Sequence, residues 1–163
     1  MQDLYYSTLT VQKKNYVVAA TRQGLAFVGF ADEPASEILR FYPQSRLHQD
    51  DAMLRPYSTE IADYLNGTRR EFDLPLDIHG TIFQEAVWSA LRQIPYGQTV
   101  HYQDIARAIG RPTANRAVGH AIDINPVPIV IPCHRVLPKS GGVGYRGGSA
   151  MKAELLQLEG VII

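Results

Sequence analysis

Hydrophobic and polar positions near the start of the chain follow the short runs typical of β-strands. Apolar, β-branched and aromatic residues fill residues 16–20 and 25–30, and four residues ending in Gly24 separate the two runs. Two strand-length apolar runs joined by a short segment that contains glycine indicate a β-hairpin. We therefore predict two antiparallel strands near the amino terminus.

The next segments change from strand-like to helix-like spacing. Apolar residues recur every three or four positions in residues 33–41 and 58–66, which predicts two helices. Residues 74–78 then place apolar side chains around a proline, a pattern that fits an extended edge strand. Gly80 follows, and we predict a boundary between two lobes at this glycine.

This boundary separates an amino-terminal lobe, residues 1–79, from a carboxyl-terminal lobe, residues 80–163. The whole chain has 16 Lys or Arg and 16 Asp or Glu, so its formal charge is zero. The carboxyl-terminal lobe has eight basic and five acidic residues, a charge of +3, and the remaining eight and eleven give the amino-terminal lobe −3. A basic lobe fits contact with a phosphate backbone, although an uneven spread without function is the open alternative.

Helical spacing dominates the carboxyl-terminal lobe, in residues 83–94, 102–109 and 150–158. A further short helix is predicted to begin at about Thr113, whose side chain is a suitable N-cap. The helices on either side of the Gly-Arg-Pro turn at residues 110–112 form a helix-turn-helix pattern, whose second helix commonly presents side chains to DNA. The same pattern also arises from ordinary helix packing, so both interpretations stay open at this point.

Three prolines interrupt the apolar stretch at residues 125–132. They exclude a regular helix, because proline lacks an amide donor and restricts the residue before it. We predict a rigid extended connector that delivers Cys133. A loop with five glycines follows at residues 141–148, and it matches neither a phosphate-binding loop nor a dinucleotide-binding fingerprint.

Cys133 is the only cysteine, so the chain can form neither an intramolecular disulfide nor a cysteine-rich zinc site. A thiol is a strong nucleophile only as thiolate, and His134 is the adjacent candidate base. Because neighbouring residues of an extended segment point to opposite faces, we expect a bridging water between the two side chains. Glu159 is the sequence-distant acceptor that would orient His134. The alternative is a buried, inert cysteine beside a packed histidine.

The composition is that of a folded globular protein. Hydrophobic residues make up 45% and charged residues 20% of the 163 positions. The first residues lack a basic start followed by an apolar run, and no stretch approaches the ~20 apolar residues of a membrane-spanning helix. We expect an intracellular protein without membrane association, cytoplasmic, or nuclear if the source is a eukaryote.

The sequence Asn-Pro-Val-Pro-Ile-Val-Ile-Pro-Cys-His-Arg-Val at residues 125–136 resembles the signature of the O6-alkylguanine-DNA alkyltransferases. The similarity covers essentially the whole carboxyl-terminal lobe. Its other parts lie at residues 83, 94–97, 102–103, 116–119, 144–148 and 155–160. The resemblance implies an α/β (α+β) fold: a ribonuclease-H-like amino-terminal lobe and a mainly helical carboxyl-terminal lobe with a helix-turn-helix, winged-helix-like motif.

The resemblance also implies a function, direct repair of double-stranded DNA bound through its minor groove. The damaged nucleotide would be flipped out of the duplex, because its O6 substituent cannot be reached inside the stack. Cys133 would accept the alkyl group of O6-alkylguanine, and of O4-alkylthymine, once per molecule. No cofactor and no metal are implied, the zinc ligands of some animal members are missing, and a monomer is expected.

Two residues carry the implied handling of DNA. Arg116 matches the arginine that fills the space left by the flipped base, with a phosphate contact as the alternative. Tyr102 matches the tyrosine that helps rotate the nucleotide and assists protonation at N3 of the leaving guanine, with a core tyrosine as the alternative. The other predicted DNA-contacting positions on the second helix are Thr113, Ala114, Asn115 and Ala117.

The remaining matches concern catalysis and the pocket. His134 matches a base that acts through water, Glu159 orients it, and Asn125 matches an asparagine that braces the active-site turn. Lys152 matches a lysine near the pocket. The positions predicted to line the substrate pocket are Tyr145, Arg146, Val136 and Ile122, of which the first two would turn backbone amides toward the alkylated oxygen.

The chain departs from the family pattern at residues 120–124, where many members carry small or polar residues. Asp123 should disfavour a nearby phosphate, which leaves DNA affinity and the preference between methyl and larger groups open. Three other classes of protein fit parts of the sequence. They are a lesion-binding module that transfers nothing and replaces the acceptor cysteine, a thiol hydrolase built on Cys133, His134 and Glu159, and a helix-turn-helix regulator with an inert cysteine.

Overall fold

The computed structural model describes residues 1–139 and 149–161 of the chain. The chain divides into two compact units, Met1–Ile78 and His79–Ile163. Among the described residues, no helix combines the length and the apolar character that crossing a membrane requires.

The first unit contains, within the described residues, a four-stranded sheet with the order β3-β2-β1-β4. The strands are β1 (Gln2–Val11), β2 (Lys14–Ala20), β3 (Leu25–Val28) and β4 (Ser45–Gln49). β1 and β3 are antiparallel to β2, and β4 is parallel to β1. The predicted hairpin is confirmed as β2 and β3. The sequence does not predict β4, because this edge strand is mostly exposed and Leu47 is its single apolar residue.

Two helices accompany the sheet. A 3₁₀ turn at Ala35–Glu37 leads into the short helix α1 (Ile38–Phe41), so the helix predicted at residues 33–41 is shorter than expected. The second helix is α2 (Asp51–Leu65). The core of the unit forms where apolar side chains of the sheet meet α1. Its buried members are Leu4, Val17, Ala19, Ala26, Phe27 and Ile38.

Helix α2 begins earlier than the prediction of a helix over residues 58–66. The carboxylate of Asp50 accepts a hydrogen bond from the Met53 amide at 3.0 Å and caps the first turn. Pro56 lies inside α2. Because a proline normally interrupts a helix, the sequence pattern predicts a helix that begins only after Pro56, which is too late.

The predicted edge strand at residues 74–78 is only partly formed: the segment makes one isolated parallel bridge, in which Leu76 pairs with Leu25 of the edge strand β3. The Leu25 amide donates to the Pro75 carbonyl at 2.9 Å, and the Leu25 carbonyl accepts from the Asp77 amide at 2.8 Å. Pro75 has no amide hydrogen, so the pairing cannot extend into a ladder through this residue.

The second unit is mainly helical in its described part. Its helices are α3 (Ile82–Leu91), α4 (Tyr102–Ala108), α5 (Asn115–Asp123) and α6 (Ser149–Leu158). Two short strands, β5 (Val100–His101) and β6 (Val136–Leu137), pair in parallel. The helices predicted at residues 83–94, 102–109 and 150–158 are confirmed, although the first ends at Leu91, three residues earlier than predicted. A mixed-sheet unit followed by a helical unit confirms the predicted α+β class.

Helix α3 supports the helix pair α4 and α5. A capping box starts α3: the Thr81 hydroxyl accepts from the Gln84 amide at 3.1 Å, and the Gln84 side chain accepts from the Thr81 amide at 3.0 Å. The Trp88 indole N–H donates to the Ala121 carbonyl at 2.9 Å and is buried. This bond fixes α5 against α3, and α5 therefore rests on a rigid base.

Helices α4 and α5 pack against each other across a turn that contains Gly110 at φ +74°. The prediction that Thr113 caps the second helix is wrong. Helix α5 starts at Asn115, the N-cap position belongs to Ala114, and no side chain caps it. Thr113 lies exposed in the turn before the helix.

The prediction of an extended connector at residues 125–132 is also wrong. The Ile131 amide donates to the Val127 carbonyl at 2.9 Å, which folds the segment into tight turns. Ile129 has φ +75°, in the left-handed region that a β-branched residue rarely adopts. Prolines exclude a regular helix, but their fixed φ suits turns as well as extended chain.

Candidate active site

The site is built around Cys133, which opens a 3₁₀ turn at Cys133–Arg135. Its side chain is buried, with 4% of the residue exposed. The Cys133 amide donates to the Ile131 carbonyl at 2.8 Å and closes the turn. Because the segment is turned rather than extended, the expectation that Cys133 and His134 point to opposite faces loses its basis.

Asn125 holds the segment that leads to the cysteine. Its side-chain amide donates to the Ile131 carbonyl at 3.0 Å, and its side-chain oxygen accepts from the Val127 amide at 3.0 Å. The residue is almost fully buried. One side chain therefore satisfies two backbone groups that no regular element would pair, and the turn before Cys133 keeps one shape.

The carboxylate of Glu159 lies where several donors converge. Its Oε2 accepts from His134 Nε2 at 2.7 Å and from Arg135 Nη2 at 2.9 Å. Its Oε1 accepts from Arg135 Nε at 2.8 Å and from the Gly97 amide at 3.0 Å. The structure thus brings the predicted pair His134 and Glu159 together, although 25 positions separate them in the sequence.

Arg135 belongs to this cluster, and the sequence reasoning gave it no role. Besides its two bonds to Glu159, it donates through Nη1 to the Ile94 carbonyl at 2.7 Å, and its guanidinium lies 5.6 Å from the centre of the Tyr96 ring. The residue is 6% exposed. A signal was present, because a buried carboxylate needs a counter-charge and arginine follows the histidine directly.

The Glu159 contact also fixes the protonation of His134. A carboxylate only accepts, so His134 Nε2 carries the hydrogen and Nδ1 carries the lone pair. Complete burial lowers the pKa of the His134 imidazole below its usual range, against the opposing effect of Glu159. The ring is therefore neutral at pH 7 and can accept a proton at Nδ1.

Lys152 is a buried lysine near the same turn. It is fully buried, and its ammonium donates to the Val136 carbonyl at 2.6 Å. Burial lowers the pKa of Lys152, while the negative charges of Cys133 and Asp123 act to raise it. An ammonium within electrostatic reach of the sulfur stabilises a thiolate at Cys133.

Tyr102 is a half-buried residue at the start of α4. Burial raises the pKa of its hydroxyl, and the negative charges of Asp123 and Cys133 raise it further. The phenol therefore keeps its proton at neutral pH and can donate it. Because Cys133 acts on the pKa of both Tyr102 and Lys152, the three groups share one electrostatic environment.

Tyr102 also lines a cavity of about 540 Å³. The lining comes from the end of β5, the start of α4, one face of α5 and the segment after β6. The lining residues are His101, Tyr102, Gln103, Asn115, Arg116, Gly119, Asp123, Pro138 and Lys139. A cavity of this volume is large enough for a nucleobase-sized ligand.

The predicted DNA-contacting residues lie on the outer side of the helix pair. Thr113, Asn115, Arg116 and Ala117 are exposed and Ala114 is partly exposed. The Asn115 side chain donates to the Gln103 side chain at 3.1 Å, and Gln103 donates to the Pro112 carbonyl at 2.7 Å. These bonds join α4, the turn and α5 into one surface.

The predicted pocket residues fall into two groups. Val136 and Ile122 are buried, and neither is among the residues that line the cavity. Tyr145 and Arg146 lie outside the described residues, as does the glycine-rich loop at residues 141–148. Within the described part of the chain, no group of His, Cys, Asp and Glu side chains could hold a metal ion.

The fold and the site define a two-unit protein in which a buried cysteine, supported by a histidine–glutamate–arginine cluster, lies near a cavity on a helix pair. Residues 82–161 match the DNA-binding domain of the 6-O-methylguanine DNA methyltransferases, and residues 4–78 match the ribonuclease-like domain of the same proteins. The chain therefore belongs to the O6-methylguanine DNA methyltransferase family.

Individual relatives agree with this assignment. An inducible methylated-DNA–protein-cysteine methyltransferase of Bacillus subtilis is 50% identical over 161 residues, which cover 96% of this chain and 90% of that protein. A methylated-DNA–protein-cysteine methyltransferase of Methanosarcina acetivorans is 38% identical over 96% of this chain and 99% of that protein. The crystal structure of Mycobacterium tuberculosis OGT in complex with DNA matches with a TM-score of 0.83 and 36% identity, over 95% of this chain and 92% of that chain.

Proposed function

We propose that this protein repairs DNA by transferring the alkyl group of O6-alkylguanine to Cys133, once per protein molecule. The observation that carries the proposal is the buried cluster of His134, Arg135 and Glu159 on the turn that Cys133 opens. The names of the relatives support it, since they describe cysteine as the acceptor of a methyl group from methylated DNA. The activity belongs in the cell compartment that holds the DNA, the cytoplasm in a cell without a nucleus.

The chemistry is a displacement at the alkyl carbon. The neutral His134 imidazole takes the thiol proton at Nδ1 through a water molecule, and the cation formed is stabilised by the Glu159 carboxylate. The thiolate of Cys133 attacks the alkyl carbon, a carbon–sulfur bond forms, and the carbon–oxygen bond to guanine breaks. Tyr102 donates a proton to N3 of the leaving guanine and regains one through solvent from the His134 cation, so both side chains return to their neutral forms. No cofactor takes part in the transfer.

The reaction ends after one transfer because its product is stable. Water does not readily cleave the carbon–sulfur bond of a thioether, because thiolate is a poor leaving group from an alkyl carbon. Cys133 stays alkylated, so the protein is consumed as it acts. This consequence separates the proposal from a thiol hydrolase built on the same side chains, which would regenerate its cysteine.

The exposed surface of α4 and α5 serves as the proposed DNA contact. We place it in the minor groove, with Arg116 occupying the space of a flipped nucleotide whose base enters the cavity beside Tyr102. Arg116 is exposed and lines the cavity, which suits both contact with DNA and closeness to the base. Repair of O4-alkylthymine and action as a monomer complete the proposal.

Stoichiometry tests the proposal directly. Duplex DNA with one O6-methylguanine is mixed with limiting protein, and restored guanine is counted against protein. We expect a plateau at about one guanine per protein molecule. Repeated turnover would indicate a hydrolase, and binding without restored guanine would indicate a lesion-binding module or a regulator. Either result would overturn the proposal.

A further inference from the structure

Asp123 is an acidic residue at a position that disfavours it. It is the last residue of α5, where the negative end of the helix dipole repels a carboxylate. It is also exposed, and it lines the cavity together with Arg116 and Gly119 of the same helix. These three residues are spaced at i, i+3 and i+7, so they form one stripe facing the cavity. A residue that destabilises the end of its own helix and also lines a cavity is a candidate for a functional role.

Asp123 and Tyr102 line the same cavity. Its carboxylate raises the pKa of Tyr102 and acts to raise the pKa of Lys152, and Cys133 acts in the same direction on both. In the proposed function the flipped base enters this cavity beside Tyr102, so its alkyl group comes within the electrostatic range of Asp123. Arg116 and Lys139 supply positive charge elsewhere in the lining.

We propose that Asp123 is a specificity residue that selects against O6-alkyl groups carrying a negative charge, such as a carboxymethyl group, and admits neutral alkyl groups. The inference rests on the proposed function, because it assigns the substrate class of that site. The proposed repulsion acts on the alkyl group that is transferred. The DNA phosphates carry the same charge for every alkyl group, so they do not affect the comparison.

The size of the effect follows from exposure. Two negative charges a few ångströms apart repel each other weakly in water and strongly in a dry pocket. Since Asp123 is exposed, solvent screens part of the repulsion, and we expect an effect of about fivefold on the transfer rate. The effect should shrink at high salt.

A structural role for Asp123 makes a different prediction. If the carboxylate only balanced the buried Lys152 ammonium, its removal would change the transfer of charged and neutral alkyl groups by the same factor. A selective role changes the ratio of the two rates. The ratio therefore distinguishes the two roles even if Asp123→Asn alters the overall rate.

The experiment compares two duplexes that differ in one substituent, O6-carboxymethylguanine and its neutral amide, O6-carbamoylmethylguanine. Single-turnover rates are measured for the unsubstituted protein, for Asp123→Asn, and for Glu154→Gln as the control. Glu154 is an exposed acid of α6 that does not line the cavity. Comparing the ratio of rates between proteins cancels the intrinsic reactivity of the two alkyl groups.

We expect Asp123→Asn to raise the rate on the carboxymethyl substrate, relative to the amide, by about fivefold at low salt. Glu154→Gln should leave the ratio unchanged. A ratio in Asp123→Asn within twofold of the unsubstituted protein would overturn the inference while leaving alkyl transfer intact. Absence of transfer from a third duplex, which carries O6-methylguanine, by the unsubstituted protein would instead overturn the proposed function, and the inference with it. Folding is controlled by the melting temperature, which should not fall, since the substitution removes an unfavourable charge from the end of α5.

Discussion

Arg135 grips the carboxylate of Glu159 with two hydrogen bonds, from Nε to Oε1 at 2.8 Å and from Nη2 to Oε2 at 2.9 Å. Both side chains are buried. The planar guanidinium fixes the plane of the carboxylate, so that Oε2 also accepts a hydrogen bond from His134 Nε2 at 2.7 Å. Arg135 therefore helps to orient His134, although none of these hydrogen bonds involves Cys133.

Removing this arginine should destabilise the fold. Arg135→Met leaves the Glu159 charge buried without its guanidinium, which we expect to cost about 3 kcal/mol of unfolding free energy. Arg135→Lys keeps the charge but not the fork, and should cost less. Urea denaturation of the two variants measures the difference. A loss below about 1 kcal/mol for Arg135→Met would show that the pair does not hold the site together.

Transfer should depend on pH through His134. Because burial lowers its pKa below the usual value of 6.5, the imidazole stays neutral as the pH falls to about 6.5. We expect the single-turnover rate to stay constant from pH 7.5 down to about 6.5 and to fall at lower pH. An acid limb with its midpoint above pH 6.5 would contradict a neutral histidine base.

The same shift predicts a pH dependence of stability. The unfolded chain binds a proton at His134 more readily than the folded chain, so the contribution is complete above pH 6.5 and is lost as the pH falls toward the lower folded pKa. The slope from this group is at most about 1.4 kcal/mol per pH unit. His134→Gln, measured between pH 7 and 5.5 by urea denaturation, should show a smaller decline than the unsubstituted protein. Equal declines in the free energy of unfolding of the two proteins would show that another titrating group causes the pH dependence.

Arg116 should matter for duplex DNA more than for the chemistry. Arg116→Ala is expected to slow repair of O6-methylguanine in a duplex by about tenfold, because only the duplex requires an extrahelical base. The reaction with free O6-benzylguanine should change by less than about twofold. Arg116→Lys keeps the positive charge but changes the shape of the side chain. Its repair rate therefore distinguishes a phosphate contact from a role in filling the space of the flipped base. Equal losses on both substrates would exclude the role in base extrusion.

Gly119 offers a test of the cavity width. A Cβ added at this position would lie 3.7 Å from Cε1 of Tyr102, an ordinary contact, in a helix where alanine is favoured over glycine. Gly119→Ala should raise the unfolding free energy by about 0.5 kcal/mol and slow benzyl transfer more than methyl transfer. A uniform effect on both groups would mean that the alkyl group does not pass this wall.

The sequence predicted the site better than the elements that support it. The match to a family pattern identified five residues of the site: Cys133, His134, Glu159, Asn125 and Lys152. The structure brings His134 into contact with Glu159, places Asn125 on the turn before Cys133, and puts Lys152 within electrostatic reach of the sulfur. Their catalytic roles stay predictions. Burial of Lys152 could not be predicted from the sequence, because a helix lysine is ordinarily exposed.

Local rules failed where distant partners decide the conformation. Ile129 adopts a positive φ inside a proline-rich segment, although β-branched residues avoid it, because Asn125 bonds on either side of it force the turns. The spacing of apolar residues did not predict a role for Arg135, since its partners are the Ile94 carbonyl and Glu159, which lie 41 and 24 positions away. Helix α5 starts without a side-chain cap, so the capping preference of Thr113 predicted a start two residues too early.

The central claim is that Cys133 itself receives the alkyl group, and mass spectrometry of the intact protein tests it most directly. After reaction with duplex DNA containing O6-methylguanine, we predict that every protein molecule gains the mass of one methyl group in place of one hydrogen, located by peptide mapping at Cys133. Cys133→Ala should bind the same duplex and gain nothing. An unchanged mass alongside restored guanine, or a methyl group on any other residue, would contradict the account.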